Sequence, residues 1–468
     1  MELRRHAGRP LRAQLEDGLR DAARSGRLAA GSRVPATRAL AADLGVSRRL
    51  VVDAYAQLLA EGYLVARPGA GTYVSEAASA ASVLPAARQS DSLRFDFFPG
   101  YPDLSSFPRR AWLRALRETL ATAPPSSLGY PDSRGALELR VALAEHLRRV
   151  RGVVADPERI VVCSGTAQAL VLLARALDAP HLAVEDPGLP PHRMILSAHG
   201  TRLSALPVDA EGARVDELAR IAARAGPVDG VLVTPAHQCP LGMALVPERR
   251  AALLEWAASH GGLVIEDDYD AEYRYDRAPL AALQGLAPDR VVYLGTVSKT
   301  LAPALRLGWL VLPPALVELV AEQRNVADHG APTLDQLALA RLIESGAYDR
   351  HLRQARRRYR SRRDALVAAV RRHLPGARVM GLAAGLHAVV RLPQAVDPGA
   401  LMRAAAARSL GVYPLALGYL RPPARGDGVV LGYANLTESR IEQGVRVLAG
   451  VVAELSSGVA ADGRAALA

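Results

Sequence analysis

The sequence almost lacks lysine. Of its 58 lysine and arginine residues, 57 are arginine and one, Lys299, is lysine. An arginine guanidinium stays protonated at any working pH, whereas a lysine amine can lose its proton and form an imine with an aldehyde. This scarcity predicts a task at position 299 that arginine cannot perform, which we interpret as that of a Schiff-base lysine. The alternative is a surface lysine left by chance in an arginine-rich chain.

Cysteine and long apolar runs are also scarce. Two cysteines, Cys163 and Cys239, are too few for a disulfide framework and fit a reducing compartment. No apolar run reaches the length of about 18 residues that a membrane-spanning helix needs. The first nine residues hold three arginines with no apolar block behind them, which is not the pattern of a signal peptide. We therefore expect a bacterial cytoplasmic protein.

Positive charge is concentrated at the start of the chain. The 468 residues are enough for two or three domains and carry a formal net charge of +11. Residues 1–75 hold 12 Arg against 7 Asp plus Glu, so they contribute +5 of that charge. A basic N-terminal segment favours a polyanionic partner.

Residues 1–75 have the pattern of a winged helix. Apolar residues recur at helical spacing up to about residue 26, from 38 to 44, and again after Ser47, which can cap the third helix. Two helices around a tight turn make a helix-turn-helix, and the second would place Ser47, Arg48 and Arg49 in the major groove. Two alternating strands, 63–66 and 71–75, would then form a wing with Arg67 at its glycine-rich tip.

This segment resembles the winged-helix domain of the GntR regulator family. The motifs are Pro-Leu-x-x-Gln-Leu, Gly-x-Arg-x-Pro-x-x-Arg, Leu-Gly-Val-Ser-Arg and Glu-Gly-Tyr-Leu. The resemblance implies DNA contacts from Arg38, Ser47, Arg48, Arg49 and Arg67. The alternative is that these arginines are solvated charges on a small helical domain. Residues 76–92 are small, polar and without periodicity, so we expect a flexible linker.

Short apolar runs alternate with helical patterns in the rest of the chain. The runs are 159–163, 182–185, 230–234, 262–267, 290–295 and 307–312. The order of strand and helix predicts an α/β body with a mainly parallel sheet covered by helices on both faces. Ligand sites in such sheets form where strands give way to loops.

Lys299 lies in one of these loops. The polar turn between two apolar runs also holds Ser298, Thr300 and Arg306. Hydroxyls, backbone N–H groups and a guanidinium beside an amine suit an aldehyde that carries a phosphate. The turn therefore predicts an anchor for pyridoxal 5'-phosphate (PLP).

Two further loops fit the same cofactor. Gly165, Thr166 and Ala167 follow one strand and open a helix, which can cradle a phosphate or be an ordinary turn between strand and helix. Asp267 ends another strand, where a buried carboxylate could keep the pyridine nitrogen protonated, and Tyr269 could bond the ring hydroxyl. Alone, the acidic cluster around Asp267 could equally be solvated or bind a metal.

A fourth loop is less specific. His237 and Gln238 follow the strand that ends near 234 and could meet the ring of the cofactor, or be structural. Cys239 could be reactive there if its pKa were lowered. The segment 350–363 holds eight arginines on several helical faces, which fits a solvated surface helix or a second DNA-contacting surface.

Residues 93–450 resemble the fold-type I aminotransferases. Seven motifs carry the resemblance: Phe-Phe-Pro-Gly-Tyr-Pro-Asp, Gly-Tyr-Pro-Asp-Ser-Arg-Gly, Glu-Asp-Pro-Gly, His-Gln, Glu-Asp-Asp-Tyr-Asp, Ser-Lys-Thr-Leu-Ala-Pro and Leu-Gly-Tyr-Ala-Asn-Leu. With the GntR-like domain in front, the chain resembles the MocR subfamily of GntR regulators. The resemblance implies a large sheet domain plus a smaller α+β domain over 93–455, and a homodimer. It does not cover the tail, residues 456–468, which we expect to be disordered.

The family pattern assigns roles to residues. Lys299 would carry PLP, Asp267 and Tyr269 would contact the ring, and the phosphate would lie among Gly165, Thr166, Ala167, Ser298 and Arg306. Two positions depart from that pattern. Leu189 replaces an aromatic residue that stacks on the ring, and Val430 replaces the arginine that grips a substrate carboxylate, for which Arg193 is a candidate replacement.

The predicted function is therefore a PLP-binding transcriptional regulator. Its body would sense PLP or a PLP adduct of an amino compound, with control of vitamin B6 synthesis or amino-acid metabolism as the outcome. One rival is a working aminotransferase with an autoregulatory DNA-binding domain, which Leu189 and Val430 oppose. Another is a DNA-binding protein with a cofactor-free body, which the lone lysine opposes.

Overall fold

In the computed structural model the chain divides into two compact units, residues 1–90 and 91–468. The structure describes residues 3, 9–24, 27–75, 93–270, 272–276, 280–381 and 383–465. The linker predicted at 76–92 lies outside the described residues. None of the helices in these ranges has both the length and the apolar character that a membrane crossing requires.

The first unit is a winged helix. Its elements are α1 (Leu11–Arg24), α2 (Thr37–Leu44), α3 (Arg48–Ala60), β1 (Leu64–Arg67) and β2 (Gly71–Val74). Leu15 of α1 and Val51 and Leu58 of α3 are fully buried, so the predicted apolar stripe of α3 packs into the core. The strands pair antiparallel with Arg67 opposite Gly71, which makes the short wing that the sequence predicts.

The second unit is built on an eight-stranded sheet. Its strands are β4 (Ile160–Cys163), β5 (His181–Asp186), β6 (Arg202–Asp209), β7 (Gly212–Ala213), β8 (Gly230–Val233), β9 (Leu263–Asp267), β10 (Val291–Thr296) and β11 (Gly308–Val311). The order is β4-β11-β10-β9-β8-β5-β6-β7. Neighbours from β10 to β6 are parallel, whereas β11 runs antiparallel to both β10 and β4. The predicted mainly parallel α/β sheet is thus confirmed.

Helices cover this sheet. They are α4 (Arg109–Thr122), α5 (Leu137–Arg151), α6 (Thr166–Ala176), α7 (Pro190–Ala198), α8 (Leu218–Ala225), α9 (Pro247–His260), α10 (Pro314–Asp328) and α11 (Thr333–Glu344), and a short strand β3 (Phe95–Asp96) precedes them. Strands β4, β8 and β10 are buried at every residue because apolar clusters pack against both faces. All six predicted apolar runs are strands in the structure. Two strands that the sequence did not predict, β6 and β7, lie at one edge of the sheet.

A smaller α+β domain follows. It holds α12 (Ala347–His373), β12 (Arg378–Met380), β13 (His387–Val396), α13 (Pro398–Ala406), β14 (Leu410–Gly411), β15 (Tyr413–Pro414), β16 (Gly426–Gly432) and α14 (Glu438–Ala465). Strands β12, β13, β16 and β15 form an antiparallel sheet in that order. Helices α12 and α14 contribute Tyr359, Leu366 and Val445 to one apolar cluster with this sheet.

The last helix of the smaller domain, α14, is anchored by buried Ile441, Val445 and Leu448. It spans Glu438–Ala465. The disorder expected over 456–468 stays a prediction.

Candidate functional site

A cavity of about 480 Å³ lies where the parallel strands end. This volume is within the range of about 300–1,000 Å³ that small-molecule sites occupy. Seven of the ten residues predicted to hold a cofactor line it: Thr166, Ala167, Asp267, Tyr269, Ser298, Lys299 and Arg306. The loops after β4, β9 and β10 meet at one sheet edge, which is why residues so distant in sequence come together.

Lys299 follows the end of β10 by three residues and is half-buried. Burial lowers the pKa of its amine, because a charged ammonium loses hydration there. Gly100 lies opposite: its backbone has φ +73°, and a Cβ at this position would stand 3.4 Å from Lys299 Nζ. The glycine therefore leaves open the space in front of an amine that gives up its proton more readily than usual.

Asp267 is a buried acid without a partner. It is 3% exposed, and among the described residues neither of its carboxylate oxygens has a hydrogen-bond partner. Burial, assisted by the charge of Asp268, raises its pKa to about 8. A buried carboxylate is costly unless a donor meets it, and a protonated ring nitrogen is such a donor. The orphaned carboxylate therefore fits the pyridine nitrogen of PLP.

The two acids beside Asp267 are already satisfied. Glu266 accepts hydrogen bonds from the backbone N–H groups of Leu283 and Gln284, at 2.9 and 3.0 Å. Asp268 accepts two bonds from Arg151, at 2.7 and 3.0 Å. The acidic cluster is thus divided between the two faces of the strand end, and only its middle member faces the cavity.

His192 is a neighbour of Asp267 that the sequence analysis missed. Its Nδ1 lies 3.6 Å from Asp267 Oδ2, and burial lowers its pKa to about 4. The imidazole is therefore neutral at neutral pH, and the contact is not an ion pair. His192 lies in the first turn of α7, directly after β5, so the same rule that identified the other loops could have found it.

The opposite end of the cavity suits an anion. Gly165, at φ +80°, precedes the first turn of α6, where Thr166 and Ala167 line the cavity. A Cβ on Gly165 would stand 3.3 Å from the guanidinium of Arg306, which also donates a hydrogen bond to the carbonyl of Ser164. Free N–H groups at a helix N-terminus and an adjacent guanidinium are the groups that bind phosphate.

The hydroxyl of Ser298 is oriented at this end by Thr296. The Thr296 Oγ1 donates to Ser298 Oγ at 3.0 Å and accepts from the Ser298 backbone N–H at 3.1 Å. Thr296 itself lines the cavity and was missed by the sequence analysis. Its only signal was its position as the last residue of a strand that leads to the lysine loop.

Two predicted ring contacts differ from the structure. His237 and Gln238 are buried but do not line the cavity. His237 Nδ1 lies 3.0 Å from Asp270 and 3.2 Å from the hydroxyl of Tyr269, so it supports Tyr269 from behind. Gln238 donates to the carbonyls of Pro187 and Cys239, at 2.9 and 2.8 Å, and thereby ties two loops together. The polar atoms of His237 thus meet two side chains, whereas Gln238 meets mainly backbone carbonyls.

Two other expectations also fail. Arg193 does not reach the cavity: its guanidinium donates to the carbonyl of Gly418 at 2.7 Å and lies 3.4 Å from Asp186. It therefore does not replace the missing carboxylate clamp. Cys239 lines the cavity, but burial raises the pKa of its thiol, which opposes reactivity. Leu189 and Val430 both line the cavity, so the two departures from the family pattern lie in the site itself.

The predicted DNA-contacting residues lie on α2, at the start of α3 and on the wing. Arg38, Arg48, Arg49 and Arg67 are exposed. Ser47 caps α3, because its Oγ accepts a hydrogen bond from the N–H of Leu50 at 3.3 Å. Arg33, which was not predicted, lies beside the wing: a Cβ on Gly71 would stand 2.9 Å from its Nε.

Six arginines of α12 belong to one of two groups. Arg358 and Arg362 turn inward, where their guanidinium nitrogens lie 3.4 and 3.0 Å from Asp103. Four others are exposed on one helical stripe, at positions 350, 353, 357 and 360. This stripe fits both expectations, a solvated surface and a DNA-contacting surface, which remain predictions.

Comparisons with known proteins agree with this architecture. The family model for aminotransferase class I and II matches residues 100–448, and that for bacterial regulatory proteins of the gntR family matches residues 11–74. The chain is 35% identical to the probable rhizopine catabolism regulatory protein MocR of Rhizobium meliloti, over 97% of this chain and 96% of that protein. It is 34% identical to the HTH-type pyridoxine biosynthesis transcriptional regulator PdxR of Corynebacterium glutamicum, over 97% of both.

Aminotransferases are among the solved structures that resemble the chain. The multiple substrate aminotransferase of Thermococcus profundus has a TM-score of 0.73 at 26% identity, covering 79% of this chain and 93% of that one. Fold and site thus define a fold-type I aminotransferase body joined to a GntR winged helix. The chain belongs to the MocR subfamily of GntR-family transcriptional regulators, as its motifs predicted.

Proposed function

We propose that this regulator binds PLP at Lys299 and that PLP, or a PLP adduct of an amino compound, changes its affinity for operator DNA. The buried Asp267 carboxylate carries the proposal. It has no hydrogen-bond partner among the described residues and faces the same cavity as the single lysine of the chain. Burying such a group without a partner is unfavourable, and a pyridine nitrogen is the partner that it lacks.

Each side chain has a distinct part in this proposal. Lys299 presents an amine whose pKa burial lowers, and the carboxyl of Asp267 would meet the ring nitrogen of PLP. Tyr269, which lies 3.2 Å from His237 Nδ1, would donate to the ring hydroxyl. Gly165, Thr166, Ala167, Ser298 and Arg306 would surround the phosphate. Bound PLP would supply an electrophilic aldehyde that can take up an amino compound.

Regulation requires a difference between the bound and free states. The proposed homodimer would present two winged helices to two half-sites, and cofactor chemistry at Lys299 would bias their placement. The absence of a carboxylate clamp favours PLP itself as an effector, and so control of vitamin B6 synthesis. The similarity to a regulator of pyridoxine biosynthesis supports that direction.

A working aminotransferase is the second candidate, because Arg306 and the phosphate end of the cavity suit PLP catalysis. Val430 opposes it, and Arg193, bound to Gly418, does not compensate. We expect no keto acid to be released when the PLP-loaded protein is offered a panel of amino acids. Steady release over many turnovers would establish the enzyme instead.

The cofactor is tested by absorbance. We expect the full chain mixed with PLP to show a visible band that differs from that of free PLP, and Lys299→Ala to lack it. A spectrum identical to free PLP in both proteins would refute the proposed cofactor site.

The DNA half is tested separately by salt dependence. Replacing Arg48 and Arg49 with Gln should weaken operator binding and lower the slope of log affinity against log salt by about 0.9 for each phosphate that is no longer neutralised. Arg12→Gln removes one positive charge from α1 of the same unit and should leave the slope unchanged. Equal slopes in all three proteins would oppose α3 as the DNA-contacting helix.

A further inference from the structure

The cavity has two unlike walls. The cofactor wall consists of Asp267, Tyr269, Ser298, Lys299 and Arg306. The apolar wall consists of Pro99, Leu189, Leu415, Leu417 and Val430. If PLP occupies the first wall, the second faces the space that remains for a small molecule beside it.

Two members of the apolar wall, Leu415 and Val430, belong to the packed core. Val430 is 5% exposed and lies in a buried apolar cluster with Leu241, Val389 and Leu415. On the antiparallel sheet it lies opposite Val389 on one side and Tyr413 on the other. A charged group that contacts Val430 therefore meets a closely packed apolar surface.

No cation is left over for a carboxylate. Among the described residues that line the cavity, the basic side chains are Lys299, Arg306, His192 and His387. The two histidines are neutral at neutral pH, because burial lowers the pKa of each to about 4. Lys299 and Arg306 serve the aldehyde and the phosphate in the proposed function.

The neutral polar groups near this space do not replace a cation. The hydroxyl of Tyr413 already donates to Asp96 Oδ1 at 2.8 Å. His387 is 3% exposed, and its Nε2 lies 3.1 Å from the carbonyl of Pro240, so its proton is on that nitrogen. The other nitrogen, Nδ1, is then an acceptor, and it has no partner among the described residues. An unpaired acceptor attracts an N–H or O–H group and repels a carboxylate.

We propose that the amino compound sensed by this site is a primary amine that carries no carboxylate. This inference rests on the proposed function and narrows its effector. An amine with an apolar body matches the apolar wall, whereas the carboxylate of an amino acid would be buried there without a counter-charge. An unpaired buried charge lowers affinity by roughly 10- to 100-fold.

The exchange needs no further reagent. The amine of the effector takes the place of the Lys299 amine at the aldehyde carbon of the cofactor. One C–N double bond forms as the other breaks, and Lys299 leaves as a free amine that takes up the proton given by the effector. Nothing is oxidised or reduced.

The test compares two compounds that differ only in the carboxylate. The full chain is loaded with PLP, freed of excess cofactor, and titrated with 3-methylbutylamine or with leucine while the visible absorbance is followed. We expect the amine to change the spectrum at a concentration roughly 10- to 100-fold lower than leucine. Free PLP titrated in parallel provides the intrinsic reactivity of each compound, by which the protein data are divided.

Two variants test the role of the apolar wall. Val430→Arg should reduce or reverse the preference for the amine, because a guanidinium then meets the carboxylate. Leu417→Arg makes the same change at a position that is 42% exposed, where an added charge is compatible with folding. Val430→Leu, which adds no charge, is the matched control and should keep the preference.

The possible results distinguish a failure of this inference from a failure of the proposed function. The inference is supported if the unaltered chain prefers the amine tenfold or more and if either arginine variant reduces this preference. Equal or better response to leucine in the unaltered chain overturns it, as does a loaded protein whose spectrum neither compound changes. In both of those cases the PLP band is present and the proposed function stands. If no protein-bound PLP band forms at all, the proposed function itself fails.

Discussion

The two walls of the cavity differ in how closely they match the family pattern of the aminotransferases. The cofactor wall contains three groups that suit a phosphorylated aldehyde. Lys299 has an amine with a lowered pKa, Asp267 has a carboxyl without a partner among the described residues, and the guanidinium of Arg306 lies beside the carbonyl of Ser164. The apolar wall offers Val430 and Leu189 at positions where the family pattern has an arginine and an aromatic residue. One wall has the groups that we propose to hold a cofactor, and the other lacks the arginine that would orient an amino acid for turnover. Such a combination suits sensing better than catalysis.

The largest expected effect is on the pH dependence of the free energy of unfolding, to which the cofactor wall contributes through Asp267. Asp267 has a pKa raised to about 8 in the folded protein, so between about pH 4 and pH 8 the folded state binds more protons than the unfolded state. The free energy of unfolding of the cofactor-free protein therefore falls as pH rises, by up to about 1.4 kcal/mol per pH unit from this group. Asp267→Asn removes that contribution. Denaturant titrations of both proteins between about pH 5 and pH 7.5, which lies inside this interval, measure the contribution of Asp267.

The control for this prediction lies on the apolar wall. Val430→Ala deletes apolar contacts without removing a titratable group, so its loss of stability should be the same at every pH. Glu185, Glu266 and Glu272, whose pKa values burial also raises, remain in all three proteins. Parallel pH profiles for Asp267→Asn and the unaltered chain would contradict the assignment of Asp267 as a buried, unpaired acid.

The next largest effect is a loss of PLP affinity when the cofactor wall is changed. Arg306→Gln removes a guanidinium from the anion-binding end of the cavity, and we expect PLP affinity to fall about 10- to 100-fold, since a hydrogen bond to a charged group contributes about 1.5–3 kcal/mol. Equilibrium dialysis with PLP measures the change. Arg175→Gln, in the last turn of α6, removes an exposed charge from the same helix and should bind PLP as the unaltered chain does. Equal losses in both variants would mean that general charge, and not the site, determines affinity.

The smallest effect tests the apolar wall. Leu189→Tyr restores an aromatic side chain beside the proposed ring position, and ring contacts of this kind contribute about 0.5–1.5 kcal/mol. PLP should therefore bind about 2- to 10-fold more tightly, as measured by the same dialysis. Leu189→Met, which changes shape without adding a ring, should leave affinity nearly unchanged. Weaker binding by the tyrosine variant would show that Leu189 does not face the ring.

The cofactor wall could be predicted from sequence because its members follow strand ends. The residues after β4, β9 and β10 share one sheet edge, so Asp267 and Lys299 were brought together by topology alone. The rule failed for His237 and Gln238, which also follow a strand but direct their hydrogen bonds to Asp270 and to backbone carbonyls. Whether a loop residue faces the cavity depends on which neighbour satisfies it, and that is a tertiary property.

The apolar wall had a weaker local signal. His387 and Val430 come from β13 and β16 of the smaller domain, far along the chain from Lys299. The family pattern indicated Val430, but no periodicity or spacing indicated His387, whose role depends on how the smaller sheet meets the larger one.

Operator binding measured across a PLP titration tests the central claim most directly. A duplex selected from random sequences by the full chain serves as operator, and the same titration is run with Lys299→Ala. We expect PLP to change the operator affinity of the unaltered chain by about 5- to 150-fold, the usual range of coupling between two sites, and to leave the variant unaffected. Affinity that ignores PLP in both proteins, or that responds equally in both, would contradict the claim that Lys299 links the cofactor to DNA.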